Sequence, residues 1–178
     1  MELYFITGNK HKFNEAQSII GGLKQFNIEL DEIQEVDTKK IIEHKLREAL
    51  KHKRANFIVE DASLHFECLG NLPGPLIKWF WKSLGNVGLY DLCRRYRNFN
   101  ATASVTIGYT DGQEIKYFSG SIKGKIVKPT GENGFGYDPI FIPQGFKKTY
   151  HEMTDKEKNS VSHRRRALDK LKKFLANR

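Results

Sequence analysis

Four stretches of the chain carry side chains whose types and spacing could handle a phosphorylated ligand. The first is Thr7-Gly8-Asn9-Lys10-His11-Lys12, preceded by the apolar run Leu3-Tyr4-Phe5-Ile6 and followed by a helical pattern. A strand-to-helix turn leaves backbone N–H groups unpaired, and the helix dipole adds positive potential, so anions collect there. Gly8 permits close backbone approach, while Thr7, Asn9 and Lys12 add donors. The spacing is not that of the P-loop. A capped helix start with a glycine turn and two solvated lysines fits the local sequence equally well.

Carboxylates form the second feature. Glu60-Asp61 follows Phe57-Ile58-Val59, and Asp31-Glu32 follows the alternating Phe26, Ile28 and Leu30, so both pairs are expected at strand ends. Ligands of open α/β sheets bind beyond the carboxyl ends of strands. Carboxylates from two strands would converge there on a hard, oxygen-seeking cation such as Mg²⁺. The Glu60-Asp61 pair directly follows an apolar run, which favours a functional role for Asp61. For Glu32 alone, a solvated strand-end carboxylate is the better local reading.

The third feature is Gly131-Glu132-Asn133-Gly134-Phe135-Gly136-Tyr137-Asp138-Pro139, where a planar ring could stack on Phe135 or Tyr137. A glycine-rich turn with its aromatics folded into the core is the competing account. The fourth, Lys158-Asn159-Ser160-Val161-Ser162-His163-Arg164-Arg165-Arg166, is expected at the head of the final helix. Positions 158, 162 and 165 or 166 would then share a face, so Lys158 and an arginine could meet one anion. Several of these charges must simply be solvated. The six histidines form no HExxH and no zinc-type spacing, and no Ser-His-Asp or Cys-His arrangement can be placed.

The elements that must position these residues follow from periodicity. Leu3–Ile6 is expected as a strand, and Phe13, Ala16, Ile19 and Ile20 as a helix stopped by Gly21-Gly22. A strand through Phe26, Ile28 and Leu30 is expected next. A helix from about Thr38 to Arg54 carries Ile41, Ile42, Lys45, Leu46, Ala49 and Leu50, and Phe57-Ile58-Val59 is a short strand. This β-α-β-α-β alternation marks an α/β protein. Further on come the rigid Leu72-Pro73-Gly74-Pro75 turn, a helix through Trp79-Phe80-Trp81 and a further helix ending near Arg97. Ala103, Val105, Ile107 and Tyr109 alternate up to Asp111-Gly112, a strong hairpin signal, with return strands at Ile115–Phe118 and Ile122–Val127. Thr154 and Glu157 suggest a capping box, and Ala167, Leu168, Leu171, Phe174 and Leu175 a last helix. The expected whole is a mixed sheet flanked by helices.

With 178 residues, 39% hydrophobic and 29% charged, the chain is long enough for one domain spanning 1–178 and too apolar for disorder. Its apolar runs are far below the ~20 residues of a membrane-spanning helix, and its N-terminus lacks the features of a signal peptide. Cys68 and Cys93 form no CxxC pair and no disulfide framework, as expected of reduced thiols in the cytoplasm. Lys plus Arg exceed Asp plus Glu by nine. All of the excess lies in residues 91–178, with 18 basic and 9 acidic side chains, against 12 of each before. Such a half points to a polyanionic partner, either nucleic acid or phosphates.

Taken in order, six segments closely resemble the inosine triphosphate pyrophosphatase family. They are TGNKHK at 7–12, DEIQ at 31–34, VEDASLHFECLGNLPGP at 59–75, IKWF at 77–80, GFGYDPIF at 134–141 and EKNSVSHR at 157–164. The LPGP-IKWF stretch is similar to the archaeal and eukaryotic branch. The resemblance implies an elongated mixed α/β fold, two lobes around a central nucleotide-binding cleft, and a homodimer with no stable nucleic-acid or membrane partner. It implies Mg²⁺-dependent hydrolysis of ITP, dITP and XTP between the α- and β-phosphates, yielding the monophosphate and pyrophosphate. The family's phosphate loop falls on Thr7, Gly8, Asn9, Lys10, His11 and Lys12, with further triphosphate lysines on Lys45, Lys158 and Lys78. Its metal-binding carboxylates fall on Glu32 and Asp61, which reverses the local reading of Glu32. Asp61 is also the implied catalytic base, with Glu60 beside it as the alternative. The base pocket falls on Phe135, Gly136, Tyr137, Asp138, His163 and Arg164. Many members carry a serine where this chain has Ala62, so no hydroxyl is offered to substrate there. Rival readings are a nucleic-acid-binding module, suggested by the basic second half and the aromatics at 79–81 and 135–137, and a triphosphate hydrolase without base discrimination.

Overall fold

The computed structural model describes residues 2–131 and 136–178. Chain order is β1 (Leu3–Ile6), α1 (Lys10–Ile20), β2 (Leu23–Phe26), α2 (Thr38–His52), β3 (Asn56–Phe66), a 3₁₀ turn (Glu67–Leu69), β4 (Pro73–Gly74) and α3 (Ile77–Arg95). Then come β5 (Asn100–Thr110), β6 (Ile115–Ile126), a second 3₁₀ turn (Asp138–Ile140), β7 (Phe141–Pro143), α4 (Asp155–Val161) and α5 (His163–Ala176). The strands form one mixed sheet in the order β2-β1-β3-β5-β6-β7, with β4 paired to β3. β1 is parallel to both β2 and β3, while β4 and β7 pair antiparallel with β3 and β6. The fold is α/β. Among the described residues no helix is long and apolar enough to cross a membrane.

Contacts divide the chain into two compact units. One comprises residues 1–61, 105–120 and 164–178, and the other residues 62–104 and 121–163. In the first, the apolar stripe of α2 (Ile42, Leu46, Ala49) packs on Tyr4, Ile6, Phe57 and Val59. Helical spacing on one side meets strand alternation on the other, so each element buries one face. In the second unit Leu64, Phe66, Leu89, Cys93, Ala101, Ala103, Ile126, Ile140 and Phe141 form a separate core.

Several sequence expectations need correction. β2 ends at Phe26, so Phe26, Ile28 and Leu30 do not form a strand. Their side chains still line the α2 core, partly buried, so the alternation records packing without a ladder. β3 runs on to Phe66, which puts Glu60 and Asp61 inside a strand and not at its end. The return strands at 115–118 and 122–127 are one strand, β6, because Ser119, Gly120 and Ser121 break the hydrophobic pattern and not the ladder. The two helices expected between 77 and 97 are both present: α3 is broken into two helical pieces at Gly85, whose φ of 63° is the left-handed conformation glycine tolerates. The tail divides at Ser162, whose extended backbone (ψ 133°) separates α4 from α5, so residues 158 and 165 share no helical face.

Candidate functional site

In the first unit the site grows from the turn after β1. Thr7 Oγ1 accepts from the Asn9 backbone N–H at 3.1 Å, and Asn9 Oδ1 accepts from the Lys12 N–H at 3.1 Å, capping α1. Gln25 donates to the Thr7 carbonyl at 2.7 Å, tying the turn to β2. This cap fixes where α1 begins and so aims Lys12, whose ammonium lies 2.8 Å from Glu60 Oε1.

Glu60 is the hub of a buried charge network. Arg164, at the start of α5, grips it through two nitrogens at 2.9 and 3.2 Å and also holds Glu15 of α1 at 2.9 Å. Burial alone would raise the Glu60 carboxyl. The Arg164 and Lys12 cations outweigh it and hold the group down to about 2. The same two glutamates push Arg164 above its ordinary value, against the effect of burial.

Asp61 faces the other way. Alternation along β3 sends Val59 and Asp61 toward α2, where Lys45 sits within the buried stripe of Ile41, Ile42, Leu46 and Ala49. The stem of Lys45 is covered and its head emerges between two carboxylates, 3.0 Å from Glu32 and 3.4 Å from Asp61. Glu32 reaches this point from the irregular segment after β2, not from a strand end. Burial raises the Asp61 carboxyl above its ordinary value, and Lys45 only partly offsets it. Asp61 Oδ2 is buried and has no hydrogen-bond partner among the described residues.

That unbonded oxygen bears on a metal. Among the described residues no three His, Cys, Asp or Glu side chains cluster as a ready cage. Mg²⁺ does not require one, since it commonly binds through one or two carboxylates, waters and substrate phosphates. Glu32 and Asp61 already converge on a single positive charge, the Lys45 ammonium, and Asp61 Oδ2 has no partner among the described residues. The donor set fits Mg²⁺.

In the second unit Asp138 opens a 3₁₀ turn and forms an ion pair with Lys158 of α4. The Lys158 ammonium also lies 5.4 Å above the Tyr150 ring. Thr154 and Glu157 make the expected capping box, which sets the start of α4. The Tyr137 hydroxyl is 3.4 Å from His163 Nε2, and the buried His163 ring lies 6.1 Å from that of Tyr150. The Gly136 carbonyl accepts from Asn86 at 3.1 Å. Lys78, in the first turn of α3, is exposed beside Trp79, and Ala62 is the first residue of this unit. Phe135 lies outside the described residues.

Thus Thr7 to Lys12, Glu32, Lys45, Asp61 and Arg164 belong to one unit, and Ala62, Lys78, Gly136, Tyr137, Asp138, Lys158 and His163 to the other. Sequence reasoning missed Glu15. Its only signal is that it is the sole acid of α1, next to the fully buried Ala16.

Fold and site define an α/β protein with paired carboxylates on a central strand and lysines around them. Residues 3–174 match the model of the Ham1 family, and the chain belongs to that family. It is 41% identical to the inosine triphosphate pyrophosphatase of Schizosaccharomyces pombe, over 97% of this chain and 94% of that one. The enzyme of the same name from Batrachochytrium dendrobatidis is 40% identical, over 98% and 94%. A Ham1 protein from Coxiella burnetii has the same fold, with a TM-score of 0.85 and complete coverage of both chains at 23% identity. A nucleoside-triphosphatase/dITP/XTP pyrophosphatase from Mycobacterium abscessus superposes with a TM-score of 0.74 at 29% identity, covering 96% of this chain and 98% of its own.

Proposed function

We propose that this protein hydrolyses non-standard purine nucleoside triphosphates (ITP, dITP and XTP) to the monophosphate and pyrophosphate, with Mg²⁺ held by Glu32 and Asp61. One observation carries the reading: Glu32 and Asp61 converge on Lys45 while Asp61 keeps a buried, unbonded oxygen. Membership of the Ham1 family and the names of its relatives support the substrate class.

The chain's own residues divide the work. The Thr7–Lys12 turn, Lys45, Lys78 and Lys158 bind the triphosphate, each charge pair ~4 Å apart contributing ~4 kcal/mol at an effective dielectric near 20. Held by Glu32 and Asp61, Mg²⁺ would supply positive charge against the departing pyrophosphate. Asp61 takes the proton of the attacking water. Glu60 is saturated by Lys12 and Arg164 and held low, which leaves Asp61, with its unbonded oxygen, for that role. Gly136, Tyr137, Asp138, His163 and Arg164, with Phe135, bind the base, and Arg164 or the His163 backbone N–H donates to a 6-oxo group. Adenine presents an amino donor there and is disfavoured. The family likeness also supports a homodimer, and the two reduced thiols support the cytoplasm.

Product analysis with ITP, XTP, ATP and GTP, each with and without Mg²⁺, tests this. IMP and pyrophosphate released from ITP only with metal, and far faster than AMP from ATP, is the expected result. Equal rates on all four would leave a hydrolase without base discrimination. No turnover would remove the enzyme.

A further inference from the structure

We propose that Cys68 and Cys93 are a peroxide-oxidised pair that closes to a disulfide within the chain. They are the only cysteines, 25 residues apart in sequence, and both are free thiols within the second unit. Cys68 is the middle residue of the 3₁₀ turn that follows β3, and Cys93 lies in the last turn of α3. Their sulfurs are 4.0 Å apart. A disulfide needs ~2.05 Å, so the gap to be closed is ~2 Å, within reach of side-chain rotation and a small slide of a short turn.

Exposure assigns the order of events. Cys68 is half-buried and Cys93 fully buried, so a solvent-borne peroxide meets Cys68 first. The Cys68 sulfur attacks a peroxide oxygen and becomes a sulfenic acid, releasing one water. Cys93 then displaces the hydroxyl from Cys68, and its own proton leaves with that hydroxyl as a second water. Two thiols and one hydrogen peroxide thus give one disulfide and two waters, the thiols supplying both electrons. Burial, with Cys68 adding to it, pushes the Cys93 thiol up to about 12, which keeps it protonated and inert toward the oxidant until the sulfenic acid forms beside it. The closed ring spans Leu72-Pro73-Gly74-Pro75 and nearly all of α3, and it ties the turn to the end of the helix.

The test treats the reduced, full-length chain with a small excess of hydrogen peroxide and needs no activity assay, so it is independent of the proposed function. Expected are a loss of both thiols on titration under denaturing conditions, a mass lower by two hydrogens, and a Cys68–Cys93 cross-linked peptide restored to two thiols by a reductant. In Cys93→Ser, dimedone should trap a sulfenic acid at Cys68 that the unaltered chain does not accumulate. Sulfinic acid at Cys68 with Cys93 still a thiol would overturn the proposal. So would a disulfide between two chains, or both thiols surviving peroxide that oxidises a free dithiol completely.

Discussion

Glu60 and Asp61 are chain neighbours that titrate in opposite directions, because a strand sends them to opposite faces. Glu60, held at about 2 against an ordinary 4.5, contributes stability that is complete above about 4.5 and is lost as pH falls through about 2. Its contribution is on the order of 3 kcal/mol. Glu60→Gln should therefore lower urea stability at pH 7 by ~3–5 kcal/mol, since Lys12 and Arg164 lose a buried partner. It should also flatten the stability curve between pH 4.5 and 2, and an unchanged curve would remove Glu60 from acid unfolding. Asp61 carries the opposite sign. Its folded carboxyl lies above the ordinary 3.8, so the folded state binds the proton more tightly and stability falls as pH rises past 3.8. Asp61→Asn should accordingly lower turnover by ~10²–10⁴-fold while raising the thermal midpoint at pH 7. Loss of turnover with a lower midpoint would mean that Asp61 is structural.

At the scale of elements, α2 is the piece that must not move, because it carries Lys45 and buries Ile42 against β5. At Gly108 of β5 an added Cβ would stand 2.1 Å from Ile42 Cγ2 and 3.0 Å from Leu46 Cδ1. Gly108→Ala should cost ~1–3 kcal/mol by overpacking and push α2 outward, raising the Michaelis constant through Lys45. Adding Ile42→Ala removes the clashing methyl, so the double variant should recover part of the loss. A purely additive pair of stability changes would disprove the contact's role. The sequence announced α2 itself, since Ile41, Ile42, Lys45, Leu46 and Ala49 recur at helical spacing. It also announced the α4 cap and the Asp111-Gly112 turn, where Asp111 Oδ1 accepts from Gln113 and Glu114. These signals are local. The extension of β3 past Asp61 was not legible, because Glu60 and Asp61 interrupt the apolar run and their cations come from α1, α2 and α5. Nor was Glu15 legible, whose partner Arg164 lies 149 residues away. Glu32 was legible only through the family likeness, its carboxylate being set by an irregular segment.

Over the whole molecule the charge imbalance of the linear sequence largely disappears. Counted by compact unit, 18 basic side chains face 14 acidic ones in the first and 12 face 7 in the second. Both units are moderately basic, which suits a small polyanion more than a one-sided surface for a nucleic-acid backbone. The Michaelis constant for ITP should consequently rise with ionic strength, with binding to single-stranded DNA staying weak at physiological salt. Tight, steeply salt-sensitive DNA binding would reverse that conclusion. The units are also interleaved along the chain, which passes between them after residues 61, 104, 120 and 163. Neither is a contiguous stretch, so neither can be excised, duplicated or exchanged as a block of gene. A break anywhere from residue 62 to residue 163 divides both units at once, and one nearer either end still divides the first.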